Sequence, residues 1–414
     1  MFLKLWDMSY KKLGKYIKLI DNRNRDLSDA PLLGVSVQKR FITSIANTIG
    51  SDMSKYKLIE KNNFVYIADT SRRGDKIGIA LLKDFDKAMI SQAYTSFKII
   101  DENELSPDYL MMWFSRPEFD RYARYHSIGS VREVFDWKDM CEVELPIPSI
   151  EEQRQIVEQY QSIANKIKVN EQICEKLEAT AQALYKHWFV DFEFPNGAGK
   201  PYKSSGGKMV WNEELGKEIP EGWEVVKVKD FCDEMKSGGT PSRDNLNYWN
   251  SNDIPWLKTG EVSNNVVFGA EEYISKEGYK NSSAKLIPTE SVLMAMYGAT
   301  AGQLTYLKKE VSTNQACCAM ICFEKERSAF LYYALLNQQK QIETLAIGGA
   351  QPNLSKQIIE AIDLILPKNL KEVSFFKFTN IIDLKAYKTL ENIKLTQLQS
   401  LLLSRLSVGE EVSA

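Results

Sequence analysis

"LPIPSIEEQRQIVEQY", Leu145 to Tyr160, decides how this chain is read. Pro146 and Pro148 end a strand-like run. Ser149 then stands as a helix cap, and Glu152 follows three residues later, the pattern of a capping box. Glu151 and Glu152 suit the positive N-terminal end of a helix. Beyond them, core-forming residues recur at heptad spacing. One line holds Ile156, Ile163, Asn170, Leu177 and Leu184; the other holds Tyr160, Ile167, Cys174, Ala181 and Trp188. Only Asn170 is clearly polar, so the spacing predicts a coiled-coil seam. The helix is expected to stop near Phe189, before the Gly/Pro/Ser-rich "DFEFPNGAGKPYKSSGGK". About forty residues at 1.5 Å each give a rod of roughly 60 Å. A helix that long cannot bury its seam on one small domain and needs a partner helix.

The chain itself supplies one, because it is written twice. "ISQAYTSFKI" (Ile90–Ile99) aligns with "TNQACCAMIC" (Thr313–Cys322), and "GDKIG" (Gly74–Gly78) with "GATAG" (Gly298–Gly302). "APLLGVS" (Ala30–Ser36) falls opposite "DIPWLKT" (Asp253–Thr259), and Pro146 opposite Pro367. The offsets stay at roughly 220 residues, too long for a solenoid and right for two similar domains. After Pro367 a second helix repeats the seam less cleanly. Ile381, Leu384, Leu395, Leu398 and Leu402 keep the spacing, while Lys388 and Glu391 break it. An antiparallel pair within one chain is therefore expected in preference to pairing between chains.

The expected fold class is α+β: two similar mixed α/β domains, separated by two long helices that pair as an antiparallel coiled coil. The expected boundaries are 1–148 for the first domain and 149–190 for the central helix. Residues 191–220 are a linker and entry, 221–367 the second domain and 368–411 the C-terminal helix. The frameworks match but the loops do not. The second half carries "KSGGTPSRDNLNYWN" (Lys236–Asn250) where the first has "KLIDNRNRDLSDA". One scaffold with two loop sets points to two binding specificities.

Composition narrows the chemistry. With 414 residues, 44% hydrophobic and 26% charged, the chain is an ordinary globular protein of more than one domain. It has no membrane-spanning run, and "MFLKLWDMSYKK" lacks a signal-peptide core, so a cytoplasmic location is expected. Cys317, Cys318 and Cys322 sit in "NQACCAMICF", which reads as a buried strand and not a metal site. His126 and His187 are far apart, which disfavours a zinc or histidine-based catalytic centre. No phosphate-binding loop, dinucleotide fingerprint or Asp/Asn-Pro-Pro-aromatic tetrapeptide occurs. Asp108 and Asp136-Trp137-Lys138 weakly resemble a nuclease metal site. Ser106-Pro107-Asp108 reads better as a helix start.

The candidate binding residues lie in polar loops. A net charge of −2 gives no overall pull toward nucleic acid, but phosphate contacts need only a local basic face. "DTSRRGDKIG" offers Arg72, Arg73 and Lys76, whose forks and ammonium suit guanine edges or phosphates. Tyr297 and Thr300 occupy the same place in the second half. Gly129 and Ser130, and "GGAQPN" in the second half, offer backbone N–H groups to phosphate, followed by Arg132, Gln351 and Asn353. Lys258 and Thr259 of "WLKTGEV" are a plausible positioning pair. Asn314 and Gln315 are expected to satisfy backbone groups instead.

These motifs resemble the specificity (S) subunit of type I restriction–modification systems, over essentially the whole chain. The resemblance rests on "PIPSIEEQRQIV", "GGTPSRDNLNYWN…IPWLKTGEV", "TNQACCAMI", "GGAQPNLSKQIIEAIDLILP" and "LYKHWFVDFEFPNGAGKPYKSSGGKMVWNEELGKEIPEGWEV". It implies a non-catalytic reader of double-stranded DNA, with two target-recognition domains that each read half of a split sequence. It implies that the helices act as a spacer and dock methyltransferase (M) subunits, with restriction (R) subunits joining them. S-adenosylmethionine, ATP and Mg would be used by those partners, with no cofactor in this chain and no membrane. After Pro367, "KNLKEVSFFKF" departs from the Glu-Glu-Gln pattern that follows Pro148. The competing readings are a stand-alone nuclease or methyltransferase, and a coiled-coil DNA-binding scaffold without sequence specificity.

Overall fold

Pro146 and Pro367 each close an antiparallel strand pair of the same kind: Tyr10 lies opposite Pro146 and Trp223 opposite Pro367. The computed structural model describes residues 10–44, 50–70, 76–127, 133–346, 353–368 and 376–406. It forms two compact units, Met1–Ile167 with Lys394–Ala414, and Lys168–Ile393.

In the first unit the strands are β1 (Tyr10–Lys12), β2 (Ile17–Ile20), β3 (Leu32–Val35), β4 (Phe41–Thr43), β5 (Lys57–Glu60), β6 (Phe64–Tyr66), β7 (Ile79–Leu81), β8 (Lys87–Ile90) and β9 (Thr95–Ile99). Helices α1 (Pro107–Phe114), α2 (Pro117–Tyr125) and α3 (Trp137–Glu142) follow, then β10 (Glu144–Pro146) and the long α4 (Ile150–Tyr185), which continues into the second unit. One sheet has the order β2-β9-β6-β7 and another β4-β3-β8-β5. Strand alternation lets β6 serve two cores. Phe64 and Tyr66 face α1, while Val65 packs with Leu33, Ile59 and Ile90 on the other side. Phe64 stacks on Phe97 at 4.9 Å and meets Phe114 edge-on at 5.8 Å, which fixes α1 over the sheet.

The second unit repeats this plan. Its strands are β11 (Met209–Asn212), β12 (Lys217–Pro220), β13 (Trp223–Lys227), β14 (Glu234–Ser237), β15 (Ile254–Leu257), β16 (Asn265–Val267), β17 (Glu272–Ile274), β18 (Val292–Ala295), β19 (Leu304–Leu307), β20 (Ser312–Thr313), β21 (Cys317–Ile321) and β22 (Asp363–Pro367). Its helices are α5 (Val228–Phe231), α6 (Lys276–Lys280), α7 (Lys325–Asn337), α8 (Gln339–Thr344), α9 (Lys356–Glu360) and α10 (Phe376–Arg405), whose last turns return to the first unit. The order β14-β21-β18-β19 matches β2-β9-β6-β7. Each unit also places one parallel pair beside an antiparallel neighbour. Leu33 faces Ile90 with β4 beyond, and Leu257 faces Thr313 with β17 beyond. The aligned sequence segments thus occupy the same places in the sheets. Cys317 and Cys318 face opposite cores of a strand buried on both sides. Burial pushes both thiols up to about 12.

The capping box forms at the start of α4: Glu152 N donates to Ser149 Oγ at 3.4 Å, and Ser149 N donates to Glu152 Oε2 at 3.1 Å. Buried Gln153 adds a tie to α1 by accepting from Ser106 N and donating to Glu104 O and Pro148 O. After Tyr185 the helix widens into a π-turn over Lys186–Val190, which ends near the expected Phe189 and buries Trp188 and Phe189.

Within each unit α4 runs antiparallel to α10. In the first, Ile156 and Tyr160 pack in a core with Leu403 and Leu406, while Ile163 shares a groove with Leu398 and Leu402. In the second, Asn170 meets Glu391 and Asn392, Glu178 meets Lys385, and Tyr185 meets Phe378. Partner numbers on α10 fall as those on α4 rise. Leu177 and Leu184 are half-buried, as is Leu395. Leu384 and Leu398, expected on the α10 seam, are 44% and 43% exposed, while Phe378, Ile382 and Lys385 are buried. The inner line differs because Lys385 is drawn in by Glu178. Among the described residues no helix is long and apolar enough to cross a membrane.

Candidate nucleic-acid interface

In the first unit, the two loops singled out by sequence leave from adjoining backbone. Asp69 forms an antiparallel bridge with Val134, Phe135 N donates to Ala68 O at 2.9 Å, and Thr70 N donates to Glu133 O at 3.0 Å. Thr70, the last described residue before the first of these sequences, therefore lies beside Glu133, the first described residue after the second. Lys76 is exposed, while Arg72, Arg73, Gly129, Ser130 and Arg132 lie outside the described residues. Asp120 of α2 accepts from Ile77 N at 3.0 Å and from Lys39 Nζ at 2.5 Å. The Lys39 side chain is only 10% exposed. Burial pulls its ammonium below the ordinary value, against the attraction of Asp120. Lys39 is thus a buried partner of Asp120 and not a surface cation.

The second unit builds the same junction with other residues. Tyr297 bridges Asn353, and Leu354 N donates to Met296 O at 2.8 Å. Phe135 and Leu354, the equivalent anchors, are both fully buried. Tyr297 is 41% exposed and Asn353 is also exposed; Gln351 lies outside the described residues. Gly298 turns the chain at φ +78°, and Thr300 Oγ1 then donates to Thr259 O at 3.1 Å. Lys258, Thr259, Thr300, Tyr297 and Asn353 are thereby linked along one surface. Lys258 is not a free cation, since its Nζ lies 3.0 Å from Glu272 and 3.2 Å from Glu271. Hydrogen bonds to Glu272 and then Glu271 hold that ammonium above its ordinary value. Asn314 accepts from Ala316 N, while Gln315 accepts from Thr240 Oγ1, a side chain of the divergent loop.

That loop carries residues the sequence reading did not single out. Arg243 lies with its guanidinium carbon 3.5 Å from the Trp249 ring centroid and 4.9 Å from that of Trp256. Its Nη1 donates to Glu272 Oε2 at 2.6 Å. Burial opposes the Glu272 charge, but hydrogen bonds from Arg243 and Lys258 outweigh it and hold the carboxyl below its ordinary value. The available signal was the loop's divergence, with Trp249 inside it and Trp256 just after it. Asp108 sits in the first turn of α1, as its helix start was read, and pairs with Lys83; Asp136, for which no helix position was expected, caps α3. Among the described residues no group of three or more His, Cys, Asp and Glu is placed to hold a metal ion.

The duplication extends to the family comparison. Residues 7–179 and 220–399 each match the family described as type I restriction modification DNA specificity domain. The chain belongs to this family. It is 27% identical over 413 residues to the type I restriction enzyme HindI specificity subunit of Haemophilus influenzae, covering 86% of this chain and 87% of that one. It is 26% identical over 319 residues to the MjaIX specificity subunit of Methanocaldococcus jannaschii, covering 75% and 71%. The crystal structure of a type I restriction-modification S subunit from M. genitalium superposes over 98% of both chains, with a TM-score of 0.57 at 16% identity. That likeness establishes a shared fold. Each family match takes in most of one set of strands and short helices and most of the long helix that follows it, so the match repeats within this chain.

Proposed function

We propose that this chain is the non-catalytic DNA specificity subunit of a type I restriction–modification assembly. Each unit reads one half of a bipartite target in double-stranded DNA. The helix pair sets the spacing between the half-sites and docks the methyltransferase subunits, which restriction subunits then join. S-adenosylmethionine, ATP and Mg serve those partners. One observation carries the reading. Two equivalent junctions, Asp69–Val134 and Tyr297–Asn353, stand on one duplicated scaffold, and the sequences that leave them are unrelated. A homogeneous scaffold without specificity has no use for that divergence, whereas two half-sites of different sequence require it.

Methylome sequencing of a host with and without this chain tests the proposal. The expected result is a split, asymmetric motif that is modified only when the chain is present. Identical methylomes in a host that carries the methyltransferase subunits would sink it.

A further inference from the structure

We infer that Arg243 is a guanine-reading side chain of the second unit, an inference that rests on the chain being a specificity subunit. Arg243 is built in rather than loose. Its guanidinium carbon lies over the Trp249 ring and beside Trp256, two rings set at 87° to each other. Each indole is itself tied to the loop: Trp249 Nε1 donates to Ser242 O at 2.9 Å, and Trp256 Nε1 donates to Gly239 O at 3.0 Å. The loop is pinned in turn. Gly239 N donates to Thr313 O at 2.8 Å, and a Cβ on Gly238 would stand 2.2 Å from that same oxygen. Only glycine fits there. Stacking and pinning remove most of the rotamer freedom that an exposed arginine otherwise loses on binding.

The guanidinium has donors to spare. Glu272 engages Nη1, and among the described residues no other hydrogen-bond partner meets this side chain, which stays 50% exposed. A guanidinium edge held in a fixed plane matches the O6 and N7 acceptors of guanine in the major groove. The charges nearby argue against a phosphate. Arg243 and Lys258 stand with Glu271 and Glu272, which already engage them both, and Glu261 lies at the same depression. Carboxylates repel a phosphate but tolerate a neutral base edge.

The test uses the full chain assembled with its methyltransferase subunits. Binding is measured to the wild-type target and to duplexes in which each base pair of the second unit's half-site is replaced in turn. The wild-type assembly should require guanine at one position at least. R243A should flatten the preference at one G·C pair by about ten-fold or more and leave the other positions unchanged. R243K keeps the charge but loses the stacked planar fork, so it should lose most of that preference while keeping affinity for the other duplexes, which guards against a folding artefact. Uniform weakening of all duplexes, with a shallower salt dependence, would assign Arg243 to phosphate and overturn the inference. Unchanged discrimination in both variants would overturn it as well. A wild-type assembly that binds every duplex alike sinks the specificity reading itself, and this inference with it.

Discussion

Where β14 ends, the second unit spends its loop on mounting Arg243 over Trp249 and Trp256. Where the equivalent β2 ends, the first unit folds its loop around buried Asn24. That side chain accepts from Ser28 N at 2.8 Å, and Arg23 beside it donates to Lys55 O. The strands under both loops pair in the same order. Burial on both faces constrains those strands, since any slip exposes one core. The loops bear no such constraint and differ freely. A second contrast lies in the helices. In the first unit α4 and α10 meet through Ile156, Tyr160, Leu403 and Leu406. In the second, polar contacts through Asn170, Glu178, Lys385, Glu391 and Asn392 join the packing of Tyr185 on Phe378.

The largest effect should come from breaking the loop contrast outright. Replacing residues 1–145 with the matching domain of a relative is expected to change one half-site completely and leave the other intact. Methylome sequencing reads the result. Changes in both half-sites would mean that the units do not read independently.

The helix contrast predicts the next largest effect. Lys385 and Glu178 form an ion pair with side chains 9% and 22% exposed. Lys385→Ala leaves a poorly solvated carboxylate and should cost about 3–5 kcal/mol in denaturant unfolding of the full chain. Lys385→Met with Glu178→Leu should recover most of that loss, because no charge is left stranded. In the apolar half, Leu406→Ala should cost about 2 kcal/mol through loss of packing alone. If the double variant is as unstable as Lys385→Ala, the ion pair is not the source of the difference.

That pair also marks where sequence reading stopped. The capping box and the strand-ending prolines are local, so Ser149, Glu152, Pro146 and Pro367 declared themselves. The repeat located the matching strands, though not their pairing. The α10 seam was misplaced onto Leu384 because spacing rules treat lysine as a surface residue. Lys385 is buried only because Glu178 arrives from 207 residues away. The same limit applied to Arg243. Its site needs Trp249 and Trp256 from the loop and β15, and Glu272 from β17, and no local pattern joins them.

Acid should separate the two helix halves by a smaller margin. Asp383 on α10 faces Lys308 at 2.7 Å and Lys325 at 2.8 Å. Burial raises its carboxyl, but the hydrogen bonds from both lysines prevail and hold it below the ordinary 3.8. A depressed folded value means that the stabilisation is complete above the ordinary value and is lost as pH falls through the folded one. Hydrogen exchange should therefore quicken in α10 around Asp383 below about pH 4, before it does around Leu403 and Leu406. Equal quickening at both places would show that the ionic contacts add nothing.

The smallest effect on stability should carry the most information. Asn170 is fully buried, donates to Glu391 Oε2 at 2.9 Å and Asn392 Oδ1 at 2.8 Å, and leaves its own carbonyl oxygen without a partner. Asn170→Leu removes one dissatisfied acceptor and takes one donor each from Glu391, which keeps Lys388 at 2.9 Å, and from Asn392, so the net change in stability should be about 1 kcal/mol or less. Specificity is different. An apolar seam accepts slipped pairings that a buried amide forbids, because any other register leaves the amide without Glu391 and Asn392. If the helix pair sets the distance between half-sites, the variant assembly should modify targets with more than one gap length, where the parent accepts one. A single, unchanged gap alongside unchanged stability would place the register elsewhere, in the packing of Tyr185 against Phe378 and of Tyr160 among Leu403 and Leu406.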